Sequence, residues 1–335
     1  MEYRKWRMSR NMSVGQWLER TICELRNPVR LKPSSNWQVY VSLLHKLQAE
    51  ATIIDMRIKD VGDATFRRLI RWMGNRPNFE GTMKVFSALL NRAHRSRLTR
   101  YKADFPYRNF QPKVQSPGAS DILRSGGNVV SLSKGQWSAF LSLDMDSIRL
   151  CTGPCSAYQK ELYRDFCILL YEMKSRPADI LQLHSSSILF HPETGRYLCS
   201  YLPAKKKNRG SDALQFLSQN ALDIITRYSG RSRGGYVFPF PMNARRWNLD
   251  NPASFASHYR LACNQLARIN RFLHLVGKAL ELPFPLTLYV VRRTAITHAV
   301  IENRIPLPML AKMAGTSVRM IEKHYINYLH TLAQY

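Results

Sequence analysis

Residues 286–328 read LTLYVVRRTAITHAVIENRIPLPMLAKMAGTSVRMIEKHYINY, and the interpretation of the whole chain starts from this stretch. Its apolar residues recur at helical spacing in three short segments, which predicts three helices joined by tight turns. Pro308 is typical of a first helical turn, and Gly315 is typical of a helix C-terminus. The spacing places Arg292 on the first helix and Tyr325 on the third. Helix–turn–helix packing would bring these two side chains together around one phosphate.

Three short motifs follow one another here: Arg292-Arg293-Thr294, a turn centred on Gly315, and Tyr325 at the end of a basic helix. This order resembles the C-terminal part of the tyrosine recombinases, which are the phage integrases and their relatives. The resemblance covers the C-terminal two thirds of the chain well and the N-terminal third in outline.

The resemblance implies a two-domain fold. The N-terminal domain would be an all-α helical bundle of the SAM-like, core-binding type. The C-terminal domain would be a mixed α/β, mainly helical catalytic domain with a small antiparallel sheet, the DNA breaking–rejoining fold. The two would close as a C-shaped clamp on duplex DNA.

The resemblance also implies an activity and partners. The activity is site-specific cleavage and rejoining of DNA strands through a 3′-phosphotyrosine intermediate, for integration or excision of a phage or other mobile element. No metal, ATP or other cofactor is expected. The implied partners are double-stranded DNA with a specific recombination site and a homo-tetramer of this chain on that DNA. Accessory factors that bend DNA or set the direction of recombination are compatible with this assignment.

DNA cleavage without a metal makes three chemical demands. Fixed positive groups must neutralise the phosphate oxygens, a nucleophile must attack, and the departing deoxyribose oxygen must receive a proton. Arginine suits the first task because its planar fork binds two oxygens and never loses its charge. A tyrosine nucleophile conserves the phosphate bond in a covalent phosphotyrosine, so rejoining needs no ATP.

The motifs assign residues to these tasks. Arg176, in EMKSRPADIL, and Arg292 match the two catalytic arginines of the family, and Tyr325 matches the nucleophile. Asp179 matches an acidic position that orients an arginine, and Arg293 stands where His or Lys is common and would compensate electrostatically. The alternatives are an Arg–Asp pair that only caps a helix, a surface arginine, and a core tyrosine.

The general acid of the family is a lysine in the turn between the second and third strands. Lys205, Lys206 and Lys207 occupy that turn, with Lys205 preferred. Two further positions depart from the family pattern: Tyr289 replaces a usual His, and Thr316 replaces a usual His or Trp. Each hydroxyl can donate to phosphate, but neither can act as a histidine base. These departures leave open a catalytically weak or silent DNA-binding relative, and a type IB topoisomerase-like or telomere-resolving enzyme is a second alternative.

Charge supports a nucleic-acid partner independently. The chain has 50 Lys+Arg against 23 Asp+Glu, a formal net charge of +27. Nucleic acid is favoured over a membrane because the charge is not concentrated on one amphipathic helix. An acid-free run is predicted to contact the DNA backbone, with a solvated face as the alternative. Its members are Arg92, Arg95, Arg97, Arg100 and Lys102.

Composition along the chain predicts four segments. Residues 1–12 form a basic arm, and residues 13–102 carry apolar stripes of a helical core DNA-binding domain. Residues 103–130 contain three prolines and a Gly-Gly pair, which predicts a linker. Residues 131–335 form the catalytic domain, with a long buried helix, three short strands and a strand-like YVFP at 236–239.

Cysteine and hydropathy patterns further narrow the class of protein. The six cysteines form no paired CxxC, so no metal site is expected. Reduced thiols and a cytoplasmic location on DNA are the expectation. No apolar run reaches the ~18 residues that a membrane helix needs, and the N-terminus lacks the apolar core of a signal peptide.

Overall fold

The computed structural model describes residues 9–26, 36–73, 79–103, 130–148, 156–203, 212–232, 234–244, 247–248, 250–301 and 303–325. The side chains of residues 79, 80, 323 and 324 are not described. The chain divides into two compact units. The first comprises Met1–Ser116 and Trp247–Tyr259, and the second comprises Pro117–Arg246 and Arg260–Tyr335.

The described residues cover only part of the four predicted segments. Most of the predicted arm, residues 1–12, and nearly all of the predicted linker, residues 103–130, lie outside the described residues. The grouping of Trp247–Tyr259 with the first unit was not anticipated from the sequence. The domain boundaries therefore stay a prediction.

The described helices of the first unit are amphipathic, and their apolar faces form one core. They are α1 (Val14–Arg26), α2 (Trp37–Leu47), α3 (Ala51–Ile54), α4 (Asp63–Met73) and α5 (Phe79–Arg95). Trp17 is 1% exposed, and its Nε1 donates a hydrogen bond to the Leu89 carbonyl at 3.2 Å. Burying an indole requires such a partner for its N–H. This bond links α1 to α5 across the core.

The second unit is mainly helical. Its described helices are α6 (Lys134–Ser142), α7 (Ala157–Met173), α8 (Pro177–Leu181), α9 (Gln219–Tyr228), α10 (Pro252–Ala279), α11 (Leu288–Ile301), α12 (Leu307–Met313) and α13 (Val318–His324). Residues 252–259 of α10 belong to the first unit. The predicted long buried helix is α7, which buries Phe166, Leu169 and Met173 completely. Lys174, in a left-handed conformation with φ 53°, ends it.

The second unit also contains a three-stranded antiparallel sheet in the order β1-β2-β3. The strands are β1 (Ile188–His191), β2 (Arg196–Tyr201) and β3 (Ala213–Phe216). One face is directed inward, because Cys199 and its neighbour Gln215 on β3 are both buried. The predicted small antiparallel sheet in a mainly helical C-terminal part is therefore confirmed. Of the residues between β2 and β3, numbers 204–211 lie outside the described chain.

The strand-like segment at 236–239 was wrongly predicted. Tyr236 forms only an isolated bridge with His184. Pro239 and Pro241 supply no backbone N–H for a ladder, so the segment cannot pair along its length. Phe238, 0% exposed, packs into the core instead.

The three helices predicted from residues 286–328 are present as α11, α12 and α13. Pro308 lies in the first turn of α12, whose first residue is Leu307. The sequence places Tyr325 at the end of the third helix, and α13 ends at His324 with Tyr325 as its C-cap residue; residues 326–335 lie outside the described chain. Ile296, Leu310 and Ile321 are fully buried and pack the three helices together.

Within the described ranges, no helix is long and apolar enough to cross a membrane. The same part of the chain contains no cluster of three or more His, Cys, Asp or Glu side chains that could hold a metal ion.

Candidate active site

Arg292 is the most unusual side chain of the second unit because its guanidinium is fully buried, with 0% exposure. Helix α11 directs it inward between α12 and α13. Its Nε donates a hydrogen bond to the Tyr325 hydroxyl at 3.0 Å, and its Nη2 donates to the Ala314 carbonyl at 3.1 Å. Its Nη1 is also buried and has no hydrogen-bond partner in the described part of the chain. A buried charge with an unused donor is costly, which is typical of a binding site.

Tyr325 is held at the end of α13 by its backbone as well as its side chain. Its N–H donates to the Ile321 carbonyl at 2.9 Å, and its carbonyl accepts from the Thr297 hydroxyl of α11 at 3.0 Å. The guanidinium carbon of Arg292 lies 5.6 Å from the centre of the Tyr325 ring. The phenol oxygen is therefore held against a cation that stabilises negative charge developing on it.

The turn between α12 and α13 has the geometry of a Schellman C-cap. Gly315 has φ +60°, its N–H donates to the Lys312 carbonyl at 3.3 Å, and the Thr316 N–H donates to the Ala311 carbonyl at 2.9 Å. Glycine adopts this left-handed conformation without a Cβ penalty. The carbonyls of Ala314 and Gly315 lie beyond the helix and are free to accept other donors.

Arg176 reaches the same turn from the corner between α7 and α8. It is the N-cap residue of α8, with extended backbone (φ −77°, ψ 147°), and Pro177 begins the helix. Its Nη1 donates to the Gly315 carbonyl at 3.0 Å. Asp179 is buried, and its Oδ2 lies 3.7 Å from Arg176 Nη1. The Asp179 carboxylate thus offsets part of the positive charge of the Arg176 guanidinium.

Strand β2 is tied to this corner by Tyr201. Its hydroxyl is hydrogen-bonded to the hydroxyl of Ser175, which donates to the Met173 carbonyl at 3.0 Å. Burial, and then the charge of Asp179, raises the pKa of Tyr201 well above its ordinary value of 10.0, although Ser175 and the Arg292 charge act in the opposite direction. Tyr201 is therefore neutral at physiological pH.

The structure thus brings Arg176, Arg292 and Tyr325 together with Asp179, which are four of the residues predicted for the site. Tyr289 lies on α11, 57% exposed, and makes no hydrogen bond with the described residues. Thr316 follows Gly315 and is half-buried.

The described structure does not bring Arg293 into the site. Arg293 is half-buried, and as a neighbour on a helix it points about 100° away from Arg292. The lysines Lys205, Lys206 and Lys207 lie outside the described residues, so their position relative to the arginines stays a prediction.

The predicted DNA-contacting run lies in the first unit. Arg95, Arg97, Arg100 and Lys102 are exposed, whereas Arg92 pairs with Glu24 at 2.7 Å. Burial alone would raise the pKa of Glu24, but hydrogen bonds from Arg92 and Arg20 hold it below its ordinary value. Arg92 therefore shares the Glu24 carboxylate with Arg20, which forms an ion pair with it at 2.7 Å.

Sequence reasoning missed a second basic surface, the exposed face of α10. Its cations Arg260, Arg268, Arg271 and Lys278 are all exposed. Residues 252–279 contain no Asp or Glu, so a search for acid-free segments would have found it. Sequence reasoning also missed Tyr201 and Ser175, for which no motif exists.

The arrangement can bind one phosphate. Two guanidiniums converge on one turn, and a phenol oxygen is hydrogen-bonded to one of them. Cations that the protein holds in fixed positions stabilise an anionic transition state without reorganisation.

Comparison with solved structures shows which proteins share this fold. The integrase of the Tn1549 transposon in complex with transposon right-end DNA is 16% identical, covers 96% of this chain and 99% of its own, and gives a TM-score of 0.59. The XerH site-specific recombinase bound to palindromic difH substrate is 12% identical, with 96% and 94% covered and a TM-score of 0.56. A lambda integrase dimer bound to a COC′ core site is 14% identical, with 94% and 96% covered and a TM-score of 0.50.

No protein-family model matches this sequence, and no curated protein sequence matches it either. At such low identities the structural matches show the fold and nothing finer. The resemblance to tyrosine recombinases and integrases read from the sequence is confirmed at that level.

Proposed function

We propose that this chain is a site-specific tyrosine recombinase that cleaves and rejoins DNA strands through a 3′-phosphotyrosine intermediate. The single observation that supports this most strongly is the hydrogen bond of 3.0 Å from Arg292 Nε to the Tyr325 hydroxyl. An arginine that is 0% exposed and directed at a tyrosine oxygen has little structural purpose, because burying a guanidinium among neutral partners is unfavourable.

The proposed reaction assigns each group one task. Arg176 and Arg292 bind the non-bridging oxygens of the scissile phosphate. The unused Nη1 of Arg292 would thereby gain an acceptor, recovering the free energy lost by its burial. Asp179 holds Arg176 in place, and the hydroxyls of Tyr289 and Thr316 donate to the phosphate.

Bond making and breaking then balance without a cofactor. The Tyr325 oxygen gives its proton to solvent water and bonds to phosphorus, and the bond from phosphorus to the 5′-oxygen of the next nucleotide breaks. That oxygen takes a proton from a lysine among residues 205–207. In rejoining, a 5′-hydroxyl attacks the phosphotyrosine and Tyr325 leaves. The number of phosphate ester bonds is conserved, so the step is expected to need neither metal nor ATP.

We extend the proposal to the partners. Double-stranded DNA with a specific site is the substrate, and the net charge of +27 supports binding by both units. The exposed cations after α5 and along α10 supply the backbone contacts. Residues 13–102 would form the core-binding domain and residues 131–335 the catalytic domain. A homo-tetramer that integrates or excises a mobile element, with accessory factors, is the proposed context.

The test uses a suicide substrate, a duplex nicked close to the cleavage site so that the product strand diffuses away and the covalent complex accumulates. Candidate sites come from DNA flanking the gene, and the assay runs with EDTA and without nucleotide. The expected result is a protein–DNA adduct that wild-type protein forms and Tyr325→Phe does not.

Other results would select an alternative. Tight DNA binding without any adduct would indicate a silent DNA-binding relative and would reject the enzyme assignment. An adduct accompanied by relaxation of supercoiled DNA without recombination would indicate a type IB topoisomerase-like enzyme. An adduct that persists in Tyr325→Phe would place the nucleophile elsewhere.

A further inference from the structure

We propose that Gly315 is a positioning residue that sets both guanidiniums of the site through two consecutive backbone carbonyls. The inference rests on the proposed function and deepens it. Arg176 and Arg292 come from elements far apart in sequence, yet they end on neighbouring atoms of one turn.

The contacts that support the proposal come from two different arginines. Arg292 Nη2 donates to the Ala314 carbonyl at 3.1 Å, and Arg176 Nη1 donates to the Gly315 carbonyl at 3.0 Å. The two carbonyls belong to adjacent peptide units that share the Cα of Gly315, so their relative orientation is determined by φ and ψ of Gly315. A change in the Gly315 backbone therefore displaces one acceptor relative to the other and alters the spacing of the two guanidiniums.

The position admits no side chain, for two separate reasons. Its φ of +60° is a left-handed conformation that L-residues other than glycine rarely adopt. A Cβ at this position would lie 2.7 Å from Cγ of Pro203 and 3.4 Å from Cβ of Ala213. Ordinary carbon contacts begin near 3.4 Å, so the turn would have to move by about 0.7 Å.

The same movement would reach the nucleophile. Helix α13 begins at Val318, three residues after Gly315, and Tyr325 is its C-cap residue. Gly315 is thus linked to the acceptors of both arginines and to the helix that holds the nucleophile.

The chain supplies a matched control for the backbone strain. Gly195, in the turn between β1 and β2, has φ +62°, and a Cβ there would meet nothing within 4 Å. Gly195→Ala and Gly315→Ala therefore impose the same unfavourable φ. Only Gly315→Ala adds the collision with Pro203 and the displacement of the two carbonyls.

The experiment measures single-turnover adduct formation on the suicide substrate and, separately, equilibrium DNA affinity. Misplacing reacting groups by 1 Å costs about 100-fold, so Gly315→Ala is expected to slow adduct formation on the order of 10- to 100-fold. DNA affinity should change by less than about twofold, because exposed cations dominate it. Gly195→Ala should react at nearly the wild-type rate.

A rescue variant tests the cause. In Gly315→Ala combined with Pro203→Ala, the colliding Cγ is gone, and the remaining contacts, to Cβ of residue 203 at 3.5 Å and to Cβ of Ala213 at 3.4 Å, are ordinary. This double variant should recover much of the lost rate. The proposal is overturned if Gly315→Ala reacts as fast as wild type, if Gly195→Ala is equally slow, or if removing the Pro203 ring restores nothing.

A second readout does not depend on activity. In DNA-free protein labelled with ¹⁵N at arginine Nε, Arg176→Lys and Arg292→Lys identify the two relevant signals. Both signals should shift in Gly315→Ala and stay in place in Gly195→Ala. Shifted signals with no adduct in wild-type protein would reject the proposed function and retain the carbonyl arrangement. Unmoved signals would reject the arrangement itself.

Discussion

Removing the Tyr325 hydroxyl should destabilise the protein as well as abolish adduct formation. Tyr325→Phe deletes one oxygen and keeps the ring, so the contact of the Arg292 guanidinium with the ring face, at 5.6 Å, is retained. The substitution therefore isolates the 3.0 Å hydrogen bond from Arg292 Nε. If Tyr325 only filled space, the substitution would not lower the free energy of unfolding.

The magnitude follows from the burial of the two partners. A hydrogen bond to a charged group contributes about 1.5–3 kcal/mol, and Arg292 is 0% exposed, so water cannot easily replace the lost acceptor. The phenol is only half-buried, and partial replacement by water favours the lower end of that range. We expect a loss of about 1.5 kcal/mol, which for a unit of roughly 200 residues lowers Tm by about 3–6 °C.

Calorimetry of the DNA-free protein measures this change. Tyr289→Phe is the matched control, because it removes the same atom from a tyrosine of α11 that is 57% exposed and makes no hydrogen bond with the described residues. Its Tm should equal that of wild type. If Tyr325→Phe unfolds at the wild-type temperature, Arg292 does not hold the Tyr325 hydroxyl in solution. The proposed contact between the cation and the nucleophile is then wrong.

Three further predictions concern the acid, the pH dependence and the DNA surface. When each lysine of residues 205–207 is changed to alanine in turn, one variant should lose about 10²–10⁴-fold in cleavage rate. A substrate with sulfur at the 5′-bridging position should restore the cleavage rate of that variant, because a thiolate leaves without a proton. The raised pKa of Tyr201, caused first by burial and then by Asp179, contributes stability that is complete below its ordinary value of 10.0 and is lost as the pH rises above it. Denaturant titrations should therefore show a flatter decline above that pH in Tyr201→Phe, and an unchanged decline would contradict the burial argument. Arg271→Gln should lower the slope of log affinity against log salt by about 1; an unchanged slope would mean that α10 does not meet the DNA backbone.

Much of the fold could be predicted because its causes are local. The apolar stripe at residues 219–228 predicts a helix, and α9 has these bounds, with Ser218 as its N-cap. The sequence likewise predicts strands at residues 187–190, 196–202 and 213–217, and each agrees with an observed strand to within one residue at both ends. At His298, the sequence favours a core histidine over a catalytic one, and both of its ring nitrogens are hydrogen-bonded, to the Tyr171 hydroxyl and the Leu132 carbonyl.

Features that the sequence did not reveal depend on contacts between distant parts of the chain. The YVFP segment has apolar residues typical of a strand. The burial of Phe238 in the core and the missing backbone N–H groups of Pro239 and Pro241 outweigh that strand propensity. Arg92 belongs to an acid-free run in sequence, yet Glu24, which pairs with it, lies 68 residues earlier. A local charge count cannot detect such a partner.

By itself, the sequence of this protein determined the kinds of groups available and their order: two arginines, a glycine turn and a tyrosine on short helices, in a strongly basic chain. Only the tertiary structure decided that both arginines end on the consecutive carbonyls of Ala314 and Gly315, and that Tyr201 supports the corner before Arg176. The physical reason is that every residue has the same backbone carbonyl. Which carbonyl accepts a given guanidinium depends on how helices far apart in sequence pack, and no residue type in the sequence records it.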